Sequence, residues 1–231
     1  MKMFRYAQLL ICFLSFLIGC STPQFSAFSN PFDRKGDADD PFYRETKAAK
    51  IDEIRQLTQR ASSMSPAEQM QSATTLIEKV RAEDDPVIKE ELVLALAYFQ
   101  SPASIEGLRM AMQDSRPRIR KAACQSLGSL NSRESMRMLA DVIQSDSNLD
   151  VRQEATRILG KSENPDAIPA LSIALNDPDP ALQYLAVQSL RQVHGKDLGN
   201  NMAVWRDFTR RYSENGSTEM IASAPEEDFL R

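Results

Sequence analysis

Few residues in this sequence could do chemistry: one histidine, three cysteines, a glycine-flanked loop and a run of cations. His194 is the sole imidazole, so acid–base work would fall on it. No Ser or Cys stands at a motif spacing from it, and one histidine cannot build a histidine-rich metal site. It falls where a helix ends, before Gly195, and reads as a surface or capping residue. Cys124 occupies a helical position held in parallel segments by Val93, Thr156 and Val187, the place of a packed, inert thiol. Gly195 to Gly199 is no phosphate loop, because it follows a helix instead of a strand and lacks the Gly-Lys-Ser/Thr ending. Arg116, Arg118, Arg120 and Lys121 have no interleaved aromatics, and the formal charge of the whole chain is −4. Nucleic acid is therefore not an expected partner. Nothing in the sequence calls for a cofactor, a metal or a small-molecule substrate. The chain is expected not to be an enzyme.

The other two cysteines, Cys12 and Cys20, lie in an N-terminal stretch that reads as an address. Met1-Lys2-Met3-Phe4-Arg5 is followed by an apolar run from Leu9 to Gly19. That run is too short for a transmembrane helix of about 20 residues, and fits a secretory leader over residues 1–19. Its ending, Leu17-Ile18-Gly19-Cys20, resembles a bacterial lipobox. The resemblance implies cleavage before Cys20 and attachment of lipid to its thiol, with two or three acyl chains giving a firm anchor. The plainer alternative is an ordinary signal peptide with an incidental cysteine. Ser21 follows Cys20 where an Asp would signal retention, so the resemblance implies the outer membrane, facing the periplasm, in a two-membrane bacterium. Only Cys124 would remain a thiol in the processed chain, leaving packing as the source of stability.

Between Ser21 and about Asp40 the sequence is rich in Ser, Pro, Phe, Asn and Asp and has no helical or strand period. Residues 20–42 are expected to form a tether and 213–231 a disordered tail. Either is terminal slack or a docking segment.

The elements that must position everything else recur. Four segments carry an apolar-polar pair: Ile88-Lys89, Ile119-Arg120, Val151-Arg152 and Leu182-Gln183, spaced 31, 32 and 31 residues apart. Leu92, Ala123, Ala155 and Ala186 follow four residues later, and Leu96, Leu127, Leu159 and Leu190 four after that. The i, i+4, i+8 pattern is one face of a helix. A second helix aligns Ile105 with Met136 and Ile168, Leu108 with Leu139 and Leu171, and Met112 with Ile143 and Leu175. Ser101-Pro102, Asn131-Ser132 and Asn164-Pro165 separate the two helices of a unit. Asp85-Pro86, Asp114-Ser115, Asp146-Ser147 and Asp177-Pro178 separate the units. The repeat-phased cations Lys89, Arg120 and Arg152 are expected to meet the turn aspartates as a ladder between units.

One helical hairpin cannot bury its apolar face alone, so the units must stack. The pattern, over roughly residues 51–195, resembles the short HEAT-like repeats of the phycobilisome-lyase type. It implies an all-α, right-handed α–α superhelix of about four to five hairpins. Residues 43–82 read as a degenerate N-terminal helical cap, 83–195 as the repeats, and 196–212 as a capping helix carrying Val204, Trp205, Phe208 and Tyr212. The Gly-Lys-Asp-Leu-Gly stretch before Trp205-Arg206 is similar to the closing segment of planctomycete HEAT-repeat lipoproteins. Of two enzyme families sharing the repeat, deoxyhypusine hydroxylase needs several His-Glu pairs that this sequence lacks. A bilin lyase fits an exported protein poorly.

Solenoids present their second helices, on the inner face, to partners. Met110, Arg137, Met138 and Ile173 are the residues expected to form that face. The function expected is a non-catalytic protein-binding scaffold, lipid-anchored at the cell envelope, whose protein partner the sequence does not name. A structural spacer or assembly factor of an envelope complex is the alternative.

Overall fold

The computed structural model describes residues 46–162 and 164–215, and the chain divides into two units at Ala49–Lys50. Every contact described below lies in the second unit. Cys20, the 1–19 leader, the 20–42 tether and the tail beyond Asn215 lie outside the described residues. Among the described residues the chain is helical throughout, with ten α-helices and no strand. They are α1 (Lys47–Arg60), α2 (Pro66–Ala82), α3 (Pro86–Ala95), α4 (Pro102–Ala111), α5 (Pro117–Leu130), α6 (Arg133–Ser145), α7 (Leu149–Lys161), α8 (Ile168–Ala174), α9 (Pro180–His194) and α10 (Met202–Asn215). None is long and apolar enough to cross a membrane.

The helix starts follow from local chemistry. Asp85, Ser101 and Asp179 each precede a proline at the first helical position and accept hydrogen bonds from the free amides of the first turn. Ser65 and Glu68 form a reciprocal capping box at the start of α2. Ser132 and Asn148 cap α6 and α7. Two stops use the left-handed backbone region, Asn131 at φ 44° after α5 and Gly195 at φ 73° after α9.

The first helices of the units, α3, α5, α7 and α9, pack side by side in order. Ile88, Ile119, Val151 and Leu182 are buried, as are Leu92, Ala123, Ala155 and Ala186, and then Leu96, Leu127, Leu159 and Leu190. The all-α solenoid expected from the period is what forms. Close approach between these helices depends on small residues. A Cβ on Gly160 would stand 2.9 Å from the Cα of Ser189, and one on Gly128 would collide with Ile158 Cγ2. Ser126 and Ser189 each donate a hydroxyl hydrogen bond to the preceding unit, to the carbonyls of Val93 (3.0 Å) and Thr156 (3.2 Å).

The second helices are less uniform. Leu108, Leu139 and Leu171 are fully buried, but Ile105 and Met112 are only half-buried where Ile168, Ile143 and Leu175 are covered. The reason is spacing: α6 packs on α8 and α4 on α2, whereas α4 and α6 barely touch. Arg109 bridges that gap to Glu134 at 2.9 Å.

The charge ladder forms at the three joins marked by Asp114, Asp146 and Asp177. Lys89 reaches Asp114 at 3.1 Å, Arg120 grips Asp146 at 2.7 and 2.8 Å, and Arg152 grips Asp177 at 3.0 and 3.3 Å. Each aspartate also accepts the amide two residues on in its own turn, from Arg116, Asn148 and Asp179. The arginines close the motif by donating to the carbonyls of Asp114 and Asp146. In the last unit Gln183 keeps this carbonyl contact, to Asp177, without a charge.

At the far end Trp205, Phe208 and Tyr212 are buried, and Trp205 donates its indole N–H to the Gly199 carbonyl at 2.9 Å. Val204 is half-exposed, so the apolar stripe of α10 is narrower than its sequence suggests. Helix α10 also runs three residues past the expected end at Tyr212. Ser213 bonds back to the Thr209 carbonyl, and Arg210 pairs with Glu214 at 3.4 Å.

Candidate partner-binding face

Two groups could have carried nucleophilic or acid–base chemistry, and they stand on different helices with no shared cavity. Cys124, in α5, is fully buried, and desolvation pushes its thiol up to about 12, which keeps it protonated and unreactive. His194 ends α9 with its ring 4.4 Å from that of Phe208. Burial, and then the nearby Lys196 charge, lower its pKa, so the imidazole is neutral at pH 7. It is a half-buried packing group of the closing end, more covered than a surface cap.

Three of the four cations in the run at the start of α5 are already committed. Arg116 binds Asp114 at 2.9 Å, Arg118 pairs with Glu90, and Arg120 belongs to the ladder. The Asp114 carboxyl is held well below its ordinary range, first by the Arg116 hydrogen bond, with burial opposing and Lys89 assisting. At Asp146 burial pushes the other way, and the Arg120 and Asn148 hydrogen bonds outweigh it. Arg116, Arg118 and Arg120 are thus ion-paired within the stack and do not form a free anion-binding stripe.

The second-helix face separates the four residues expected on it. Arg137 and Ile173 come together, Met110 lies one unit away, and Met138 is removed from the surface. Met138 is 3% exposed, a correction to its expected place on the face. It shares its repeat position with Gly107 and Ala170, both buried, because that position points at the neighbouring helix of the stack. The sequence misleads here because methionine at a helical surface position and methionine filling a core gap have the same spacing. Met110 is half-buried and receives the Arg81 Nε–H on its sulfur at 3.2 Å.

Arg137 and Ile173 line a groove of about 350 Å³ between α6 and α8, to which Tyr212 of α10 also contributes. Met136, Ala140, Pro169 and Ala170 complete its apolar lining, and Arg133 and Asp166 stand on the rim 3.5 Å apart. The position of Arg137 sets it apart from the other arginines of the stack. It is exposed and has no hydrogen-bond or ion-pair partner among the described residues. Met136 and Tyr212 were legible only as core positions. What puts them on a groove is the packing of α6 on α8 and of α8 on α10, which no single-helix pattern encodes.

A second depression of about 380 Å³ lies in the gap between α4 and α6, with Arg109, Met112, Met138, Asp141 and Val142 among its lining. Its rim carries the ladder residues Asp114, Arg120 and Asp146, whose charges are already paired. The α6–α8 groove, with Arg137 unpaired at its edge among the described residues, is the candidate for a partner.

Comparison with known proteins agrees with the repeat geometry. No curated relative matches the chain. Among solved structures it is similar to a chain in the complex of CpcE and CpcF of phycocyanin lyase from Nostoc sp. PCC7120. The identity is 17%, the match covers 65% of this chain and 93% of that one, and the TM-score is 0.42. At that score the likeness carries no functional information. The family model described as HEAT repeats matches residues 73–157 and again 136–200, which together span more than half of the 231 residues. On that span and on the buried 31–32-residue register, the chain belongs to the HEAT-repeat family.

Proposed function

We propose that this protein is a non-catalytic binding scaffold of the bacterial cell envelope, anchored by lipid on Cys20, whose second-helix face receives a protein partner. The observation that carries the binding reading is Arg137: an exposed cation beside an apolar groove, unpaired among the described residues, while the repeat-phased cations Lys89, Arg120 and Arg152 are neutralised within the stack. Binding faces combine an apolar floor with charged rims, and an arginine free of internal partners is available to one. The HEAT repeats support a scaffold, as do the buried Cys124 and the half-buried His194 packed against Phe208.

The test is capture of partners from native cells by crosslinking, with the wild-type chain compared against Arg137→Glu combined with Ile173→Asp. Loss of the captured proteins supports the face, and unchanged capture overturns it. Met138→Asp is not a suitable probe, since it would place a charge in the core. The anchor has a separate test: Cys20→Ser should release the protein from membranes and abolish globomycin-sensitive processing. Unchanged fractionation removes the lipid reading. A spacer would tolerate the face substitutions and fail on deletion of a whole repeat.

A further inference from the structure

The groove between α6 and α8 has a specific chemistry. Its floor is apolar, its rim carries Arg133 and Arg137 with Asp166 beside the first, and the Tyr212 side chain is part of the lining. Arg133 is shared with Asp166 across a long 3.5 Å contact and is 73% exposed, so it too remains open to a second carboxylate. A complementary segment needs an acidic stretch next to one or two large apolar side chains. The sequence that follows α10 holds one: Pro225-Glu226-Glu227-Asp228-Phe229-Leu230.

We propose that the groove is the seat of this acidic-aromatic segment, with Phe229 and Leu230 on the floor of Met136, Ala140 and Ile173, and Glu226 to Asp228 against Arg133 and Arg137. The inference rests on the reading of the second-helix face as a binding surface and names one segment that it binds. Three observations favour the chain's own segment as occupant. Charge matches charge, and the apolar pair directly follows the acids, as the groove's floor lies beside its cations. The tether is short and begins at the groove itself. Tyr212 lines it, α10 ends less than a turn later at Asn215, and residues 216–225 intervene before Glu226. Ten residues span up to about 35 Å when extended, several times the width of a groove this size. A link of that length holds the segment near the groove at an effective concentration of about a millimolar, so weak contacts suffice to occupy it.

The experiment places the photo-crosslinking residue p-benzoylphenylalanine at position 229 of the otherwise full chain and maps the products by mass spectrometry. The expected product is a monomer crosslinked to peptides holding Met136 or Ile173. Arg133→Glu with Arg137→Glu should cut that yield about fivefold, as expected when two exposed ion pairs are removed. Adding Glu226→Lys and Glu227→Lys should restore it. Circular dichroism melting of each variant shows that the fold is intact. Crosslinks scattered over the surface, a yield indifferent to the charge reversal, or products of twice the chain mass overturn the proposal, the last by assigning the segment to a second copy. A clean crosslink in the groove with no partner captured from cells would leave this inference standing and remove the scaffold reading. Partner capture with no crosslink would do the reverse.

Discussion

Arg120 in one unit holds Asp146 in the next through two parallel hydrogen bonds, and both side chains are largely shielded, 13% and 7% exposed. The pair joins successive hairpins at the turn, while the same arginine's bond to the Asp114 carbonyl fastens its own. One side chain thus sets both the end of its own unit and the offset to the following one.

Removing one member should therefore cost far more than losing a surface pair. Arg120→Ala is expected to destabilise the protein by about 3 kcal/mol, because a shielded carboxylate loses its cation. The exposed Arg157–Glu154 pair in α7 is the control, and Arg157→Ala should cost less than about 1 kcal/mol. Urea denaturation of both variants checks the contrast, and equal losses would mean that the ladder is no stronger than surface charge.

Acid should loosen the joins. The folded-state pKa values of Asp114 and Asp146 lie below the ordinary carboxylate value, so the folded chain binds fewer protons there than the unfolded one. Their stabilisation is complete above the unfolded value of about 4 and is lost as pH falls through the lower folded values. The melting temperature should hold between pH 7 and 5 and decline below about 4. Asp146→Asn should lower the plateau and flatten the decline. A decline as steep as wild type would assign the acid sensitivity to other groups.

Gly160→Ala tests how closely α7 and α9 approach. The added methyl would meet the Ser189 side chain at 2.6 and 2.7 Å and its Cα at 2.9 Å, so the helix itself must move. A loss of about 1–3 kcal/mol is expected, despite the better helix propensity of alanine. Ser189→Ala should not rescue it, since the Cα and Cβ remain. A neutral or stabilising Gly160→Ala would show that the two helices are free to shift apart.

Trp205 closes the far end. Its ring is fully buried, stands edge-on to Phe208 at 5.9 Å, and bonds the loop that leads into α10. Trp205→Ala should cost about 3–5 kcal/mol. Native tryptophan fluorescence should be blue-shifted and should red-shift in the same transition as the loss of helicity by circular dichroism. Separate transitions would mean that α10 detaches before the stack unfolds.

Cys124 offers a check without mutation of the core. In a chain carrying Cys12→Ser and Cys20→Ser, the remaining thiol should resist alkylation at pH 8 and react only at the rate of unfolding. Prompt modification of the folded protein would show that α5 is less enclosed than its packing implies.

The sequence by itself determined the repeat, because the 31–32-residue spacing of Ile88, Ile119, Val151 and Leu182 is a local, one-dimensional signal. It also determined hairpin starts, through Asp85-Pro86 and Ser101-Pro102, and the pairing of cations with turn aspartates, whereas the cap of α9 proved to be Asp179 and not the expected Asp177-Pro178. These features depend on neighbours along the chain or one unit away. The surface depended on more. Met110, Met138 and Ile173 have similar helical surroundings in sequence, yet one receives a guanidinium, one is buried and one lines a groove. The tertiary structure decided among them through helix spacing: α4 stands off α6 while α6 closes on α8. That spacing is the summed result of many side-chain volumes at two interfaces. A periodic pattern records which residues face a neighbour, and it does not record how near that neighbour comes.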